Sequence, residues 1–529
     1  MFLKNKVNFL VLSTLLLNCS STFSMDDSFE DLFDVSLPDE QEIESLRQTR
    51  DANCVNPQII LDQIININGP TLIQNSNIYL RTNGINVRSL LDLPILQPIF
   101  PDRCSEFCNG FHVQAFYNKI KKAFFTKNSP FLNSYIDLSQ QDLVEELANA
   151  GFLNSSDFGR VLDLFQNIKL EQRRAGLMFS YQRTFPDDAY LRIFTPFYWA
   201  EANFFLNQNE IDAIKGDPFF TEFSTGQDDN AVRDFLKDFV SCDRVGFGDT
   251  RVEFAGKVID SERTSAWLGF QATIPTAFPF VKGVLAGKCS TECKNPCFSL
   301  QQIGELVLCP EPNLPKAKNI VQNFLLGVLK RLTANVGNLQ LGNGGHVGFG
   351  PQIDVWIEAT DCLDLYTRFV YEFLMPAEED RFFLLKKNPA CFNRNYNDEN
   401  LASENLAFLS QQIVNTLYPS IIGVHVRPGG ILKFRQAAMV NSDYWRCTLG
   451  FDYWHQGKEH IKRFKGSECF EFDKAFKSSA YQGKIYGQYI YKVNGCSWHG
   501  YLGIGSDVTI FNRGIGKDFT IDIYLGLDF

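Results

Sequence analysis

Read back from the C-terminus, the chain places apolar residues at every second position. Phe519, Ile521, Ile523, Leu525, Leu527 and Phe529 are separated by Thr520, Asp522, Tyr524, Gly526 and Asp528. Side chains on a strand point alternately to its two faces, so this segment predicts a strand with one greasy and one polar face. The pattern recurs upstream: Trp498, Gly500, Leu502, Ile504 and Val508 alternate with His499, Tyr501, Gly503, Gly505 and Asp507. Before them Ile485, Tyr489, Tyr491 and Val493 alternate with Lys484, Gln488 and Lys492, and Asn494-Gly495 between the runs predicts a tight hairpin turn.

Four further hairpins read the same way. Residues 432–440 and 443–456 flank Asn441-Ser442, 345–358 and 361–376 flank Ala359-Thr360, 248–260 and 263–278 flank Ser261-Glu262, and 170–184 and 188–205 flank Phe185-Pro186-Asp187. With a strand at 110–124, the count is twelve. The connections sort by parity: 2–3, 4–5, 6–7, 8–9 and 10–11 are tight, while 1–2 (125–169), 3–4 (206–247), 5–6 (279–344), 7–8 (377–424) and 9–10 (457–479) are long. Short turns at one end and long loops at the other are expected of a transmembrane antiparallel β-barrel, whose bacterial single-chain forms have even strand counts. The fold class is therefore all-β, a barrel of about twelve strands. Trp445 and Trp498 at the turn end, with Trp199, Phe373 and Tyr453 toward the loop end, fit two aromatic girdles.

The last strand resembles the closing strand of bacterial outer-membrane β-barrel proteins of the porin-like kind. Ile523, Leu525, Leu527 and Phe529 match its alternating apolar positions and terminal Phe, and Tyr524 departs from it where the family often has Gly. The resemblance implies that this strand is the signal read by the barrel-assembly machinery, and that outer-membrane lipid surrounds the barrel. It covers about ten residues and the export signal described next.

Residues 1–24 read as a signal peptide: Lys4 and Lys6, an apolar run from Phe9 to Leu17, then Thr22-Phe23-Ser24 before cleavage. No later apolar run reaches the roughly 18 residues that a membrane-spanning helix needs. Residues 25–104 are expected to form an acidic N-terminal periplasmic arm or a plug, and 105–529 the barrel. Apolar stripes at Ile320–Leu332 and Leu406–Leu417, with shorter ones near Leu143–Leu147 and Val232–Phe239, predict helices on the long loops, read as a cap that narrows the pore.

Charge narrows the function classes. Fifty Lys+Arg against 61 Asp+Glu give a net charge of −11, with no basic stripe for nucleic acid. The inward positions of the strands carry Arg174, Arg192, Arg251, Asp354, Asp364, Arg368, Glu372, Lys433, Arg435, Arg446, Lys484 and Lys492. Strands six and seven read as acidic and eight to ten as basic, a polarised lining able to select ions, or a set of salt bridges filling a narrow lumen.

Fourteen cysteines in an exported chain favour disulfides. The candidates are Cys104 and Cys108 before the first strand, and Cys289, Cys293, Cys297 and Cys309 in one loop. Their spacing matches neither a zinc ribbon nor an iron–sulfur run, so no metal is expected. Glycines at 342–350 lack the Lys-Ser/Thr of a phosphate loop, and no cofactor is expected. A phospholipase is among the known functions of twelve-stranded barrels, but His455 lacks a nearby Ser, His499 and Ser497 face inward, and His346 and His425 stand alone, so catalysis is not expected. The expected function is passive diffusion of small hydrophilic solutes or ions. The alternatives are a surface-structure or adhesion barrel with disulfide-linked loops, and a hydrophobic-solute transporter with an N-terminal plug. Solute and oligomeric state are not legible.

Overall fold

In the computed structural model the described residues are 79–80, 86–97, 109–121, 136–137, 169–185, 189–205, 241–282, 341–383, 420–464, 467–495 and 498–529. All belong to one compact unit, Val55–Phe529. Twelve antiparallel strands close into a ring: β1 (Asn109–Lys121), β2 (Lys169–Thr184), β3 (Tyr190–Phe205), β4 (Thr250–Asp260), β5 (Thr264–Ile274), β6 (Gly348–Thr360), β7 (Leu363–Leu374), β8 (Ile431–Asn441), β9 (Trp445–Gln456), β10 (Ala480–Asn494), β11 (His499–Arg513) and β12 (Lys517–Asp528). Each pairs with its sequence neighbour, and β12 closes the ring on β1 from Lys517↔Lys121 to Asp528↔Gly110. Phe529 and Asn109 then exchange both backbone hydrogen bonds, at 2.8 and 3.1 Å.

The period-two pattern sorts as the sequence predicts. Ile521, Ile523, Leu525, Leu527 and Phe529 lie exposed on the outer face, while Thr520, Asp522, Tyr524 and Asp528 are buried inside. Leu268, Phe270, Ile353, Phe369, Leu449, Leu502 and Ile504 continue the apolar exterior around the ring. A contiguous greasy surface of this extent marks contact with a nonaqueous phase. Trp498 and Phe373 face outward at opposite ends of the wall.

Turn positions differ in detail. The Asn494-Gly495 hairpin is a four-residue connection: Asn494 pairs with His499, and Gly495 N–H donates to the Trp498 carbonyl at 2.8 Å. A two-residue turn needs positive φ at both positions, and Gly344, Gly345 and Gly514 are the positive-φ glycines among the described residues. The β6–β7 turn falls at Asp361-Cys362 rather than Ala359-Thr360, because a bulge between Glu358 and Thr360 lengthens β6.

At the loop end, breaks separate the wall from further strands, one of them inside the strand that the alternation reads as 263–278. Pro275, Pro376 and Pro428 stand at three of them, where a residue without an N–H ends the ladder. Beyond lie Ser241–Phe247 paired with Phe278–Lys282, and a three-stranded sheet of Ala377–Phe383, Ser420–Arg427 and His460–Ile461. That sheet has its own core: Phe383, Ile422, Val424, Val426, Ile461 and Phe470, with Phe464 and Phe472 against them. The four helical stripes expected on the loops, and with them the expected cap, lie outside the described residues.

The occupied lumen as candidate functional site

Inward-facing side chains line a lumen that is not empty. Residues 86–97 run through it, with a short 3-10 turn at Leu90–Asp92 capped by the Ser89 hydroxyl, which accepts from Leu91 N–H. Leu90, Leu91, Leu93, Ile95 and Leu96 are buried against a group that includes Phe116, Ile120, Met178, Tyr198 and Tyr486. Apolar side chains in a barrel interior otherwise lined by charge need such a partner face, and the leucines supply it.

Polar groups fix the segment at each level. At the loop end, the Asn86 amide donates to the carbonyls of Ser478 (3.2 Å) and Gly514 (3.1 Å). Arg88 forms a buried ion pair with Asp452, hydrogen-bonds Gln482 at 3.3 Å and receives Arg174 on its carbonyl at 2.8 Å. Asp92 lies 2.6 Å from Arg251 Nη2 and 2.6 Å from Lys433 Nζ, and the Trp454 indole donates to its second oxygen at 3.3 Å. Arg251 also donates to the Leu91 carbonyl. Deeper, Gln114 donates to the Ile95 carbonyl at 3.0 Å. A Cβ at Gly505 would meet Ile95 Cδ1 at 2.5 Å, so the absent side chain makes room for the segment.

The inward charges fall into several groups of ion pairs and hydrogen bonds. Glu372 accepts from Lys433 (2.7 Å), Gln271 (2.6 Å) and Thr273 (2.5 Å). Arg368 reaches Glu253 at 2.6 Å and Asp354 at 3.8 Å, and Asp354 accepts from the Tyr190 and Tyr366 hydroxyls. Arg192 sits 3.6 Å from Glu253, Arg435 lies 3.4 Å from Asp452, and Lys484 is 2.7 Å from both Asp507 and Asp518. At the turn end Asn441 joins Asp364 (2.6 Å) to Arg446 (2.7 Å), and Lys492 is buried on the same inward face. The acidic and basic strands therefore neutralise one another and the segment between them, as desolvated charges require. Ion pairs such as Glu372–Lys433 and Lys484–Asp507 thus join inward charges on adjoining strands.

Arg88, Asp92, Trp454 and Gln114 were not among the sequence-predicted residues. A signal was present: Arg88 and Asp92 are charges four apart at the start of an apolar run, a placement that burial makes costly without partners. Cys104, Cys108, Cys289, Cys293, Cys297 and Cys309 lie outside the described residues, whereas Cys362 and Cys447 are exposed free thiols.

The histidines do structural work. His112 contacts the Tyr524 hydroxyl inside the lumen, and His425 is an exposed partner of Glu378. His499 bonds Asn494 at 2.8 Å at the turn end. Beyond the wall, His346 links the Met375 carbonyl (2.8 Å) to Glu379 (2.5 Å), and Arg381 joins Glu379 to Glu459 at 2.8 and 3.0 Å. Burial would raise the Glu379 carboxyl, but the His346 hydrogen bond and Arg381 outweigh it and hold it below its usual range. At the strand break, Asp249 accepts from Asn343 N–H at 2.6 Å, yet burial pushes its carboxyl up to about 6.

No family model and no curated protein matches the sequence. Solved structures with a similar arrangement include an outer-membrane channel from Pseudomonas putida F1, at 8% identity and a TM-score of 0.39 over 82% of this chain and 100% of that one. The transport unit of the autotransporter AIDA-I from Escherichia coli is 7% identical with a TM-score of 0.31, covering 88% and 97%. The Pseudomonas putida toluene transporter TodX is 8% identical with a TM-score of 0.27, covering 80% and 89%.

Proposed function

We propose that the chain is an outer-membrane β-barrel channel that its own residues 86–97 hold closed, with the short turns in the periplasm and the long loops outside. The greasy exterior supports a lipid surround, and the terminal strand ending at Phe529 is the segment offered to the assembly machinery. The observation that carries the closed state is Asp92, whose carboxylate joins Arg251 on β4, Lys433 on β8 and Trp454 on β9 across the lumen. Small hydrophilic solutes or ions pass when this segment shifts and bares the charged wall. A hydrophobic solute is the second reading, favoured by the apolar face that Leu90, Leu91 and Leu93 cover. Catalysis forms no part of the proposal.

Single-channel recording in planar bilayers tests it. Wild type is expected to be quiet with rare openings. Asp92→Asn keeps the shape but removes the charge, so it is expected to conduct persistently. A wild-type protein with a steady open level, or an Asn variant that stays shut, overturns the closed-channel reading.

A further inference from the structure

The path of residues 86–97 has a direction. Asn86 is held by Ser478 and Gly514, which lie in connections at the loop end. Asp92 meets Arg251, Lys433 and Trp454, each within three residues of the loop end of its strand. Ile95 has reached Gln114 and Gly505, near the middle of β1 and β11. The chain next appears at Asn109, paired with Phe529 at the turn end. Between Asn86 and Ile95 the partners therefore move from the loop mouth toward mid-barrel, with the Arg88 guanidinium reaching down to Asp452 on the way. A plug pushed in from the turn end would have to double back, and among the described residues the contacts record one downward pass, folded locally where Gln97 donates back to the Leu91 carbonyl.

Upstream, Tyr79–Leu80 pairs with Ile136–Asp137, which belongs to the connection joining the loop ends of β1 and β2. The chain before the lumen is thus attached on the loop side, and the chain after it begins the wall on the turn side. The ring has no open seam, because β12 pairs with β1 over the whole of both strands. A chain with parts on both sides of a closed hydrogen-bonded wall has passed through the lumen.

We propose that the N-terminal chain is threaded through its own barrel, so that Tyr79–Leu80, paired with Ile136–Asp137, lies on the outer face of the membrane. The barrel then serves as an anchor for that segment as well as a channel, and the buried ionic contacts at Arg88 and Asp92 are the clamp that stops the thread from slipping. The lumen backbone suits such a strap: the carbonyls of Arg88, Leu91 and Ile95 each accept from a lumen side chain, so the thread leaves few unpaired groups. The proposal rests on the orientation of the barrel and on the lumen contacts of residues 86–97 that the closed-channel reading also uses, and adds to them the side of the membrane on which the upstream chain lies.

The test is insertion of a tobacco etch virus protease site between Asn75 and Ser76 in the full chain, with separate control insertions at Ser442 in a turn and at Gly514 in a loop. Protease is added to intact cells and to cells with a permeabilised outer membrane, and barrel folding is checked by heat-modifiable migration. In intact cells the 75/76 and Gly514 sites are expected to be cut at least about tenfold faster than Ser442. A second insertion, between Thr71 and Leu72, is expected to behave like the first, so that one disruptive position does not decide the result. If Ser442 is protected and both upstream sites are cut only after permeabilisation in folded barrels, threading is wrong while the orientation stands. If Ser442 is cut and Gly514 protected, the barrel is inverted and outward display is wrong. Neither result alters the conductance of Asp92→Asn, which judges the closed-channel reading separately.

Discussion

The wall and the lumen of this barrel are built by different rules. In the wall, each strand pairs with the next one in sequence, and a side chain's face follows from whether its position is odd or even. In the lumen, the decisive contacts join residues far apart: Arg88 to Asp452 across 364 positions, Arg251 to Asp92 across 159, Gln114 to Asp522 across 408. Wall order is repeated twelve times, so a local error is absorbed by its neighbours. Lumen order depends on one short segment, and losing one of its charges strands several others. The difference implies that lumen substitutions act on closure and stability, whereas wall substitutions act on insertion.

Asp92→Ala is expected to have the largest effect. Among the described residues it leaves Glu372 as the carboxylate that Arg251 and Lys433 share, in a site where all of these side chains are nearly inaccessible. Breaking a buried ionic group by removing one partner costs about 3–5 kcal/mol, less whatever the freed segment recovers by leaving. The heat-modifiable transition of the refolded barrel is expected to fall clearly while membrane insertion is retained. An unchanged transition would mean that the segment does not brace the lumen.

Ile523→Arg probes the wall. Ile523 lies near the middle of β12, opposite Ile504 and about half exposed on the outer face. An arginine on the lipid face at mid-depth costs roughly 2–4 kcal/mol. The expected outcome is reduced insertion into lipid vesicles, with the fraction that does insert remaining closed to ions. A conducting fraction would show that wall and lumen are coupled more tightly than the two bonding patterns suggest.

How much the sequence discloses follows the same division. Phe519 to Phe529 announces a strand, its face and its place at the end of the chain because period two is a local signal. The five short turns and the long connections follow from turn residues and distance alone. The Asn494-Gly495 prediction errs by the two residues that Trp498 takes up by accepting from Gly495, a contact that no dipeptide rule contains. The inward charges are legible as inward, since their neighbours face out. Their partners are not, because which carboxylate meets Lys433 depends on how the ring closes. The run Leu90 to Leu96 reads as apolar chain of uncertain place, since nothing within it names Phe116 or Tyr486 as its cover. Pro275 was present as a letter, but the alternation read as 263–278 continued past it and hid the change from wall to outer strand, whereas the strands read as 361–376 and 432–440 already stop short of the outer sheet.

The smallest expected effect lies at the boundary between wall and outer structure, at Asp249. Its carboxyl is buried, accepts from the Asn343 N–H and has its pKa pushed up to about 6, above the ordinary 3.8, chiefly by burial. With the folded value raised, the folded state holds a proton that the unfolded chain has already released between those two values. The resulting stability is full below about pH 4 and is lost as pH rises through about 6. Asp249→Asn keeps an oxygen acceptor for Asn343 and removes the titration. The unfolding free energy of wild type relative to the Asn variant is therefore expected to drop between pH 5 and pH 8, by an amount on the order of 1–2 kcal/mol, read as a lower relative transition temperature. Residue 249 lies outside the lumen clamp, so closure to ions is expected to stay the same across that range. A wild-type advantage that grows with pH would mean that the nearby Arg251 guanidinium outweighs burial at Asp249, with the opposite sign of pH dependence.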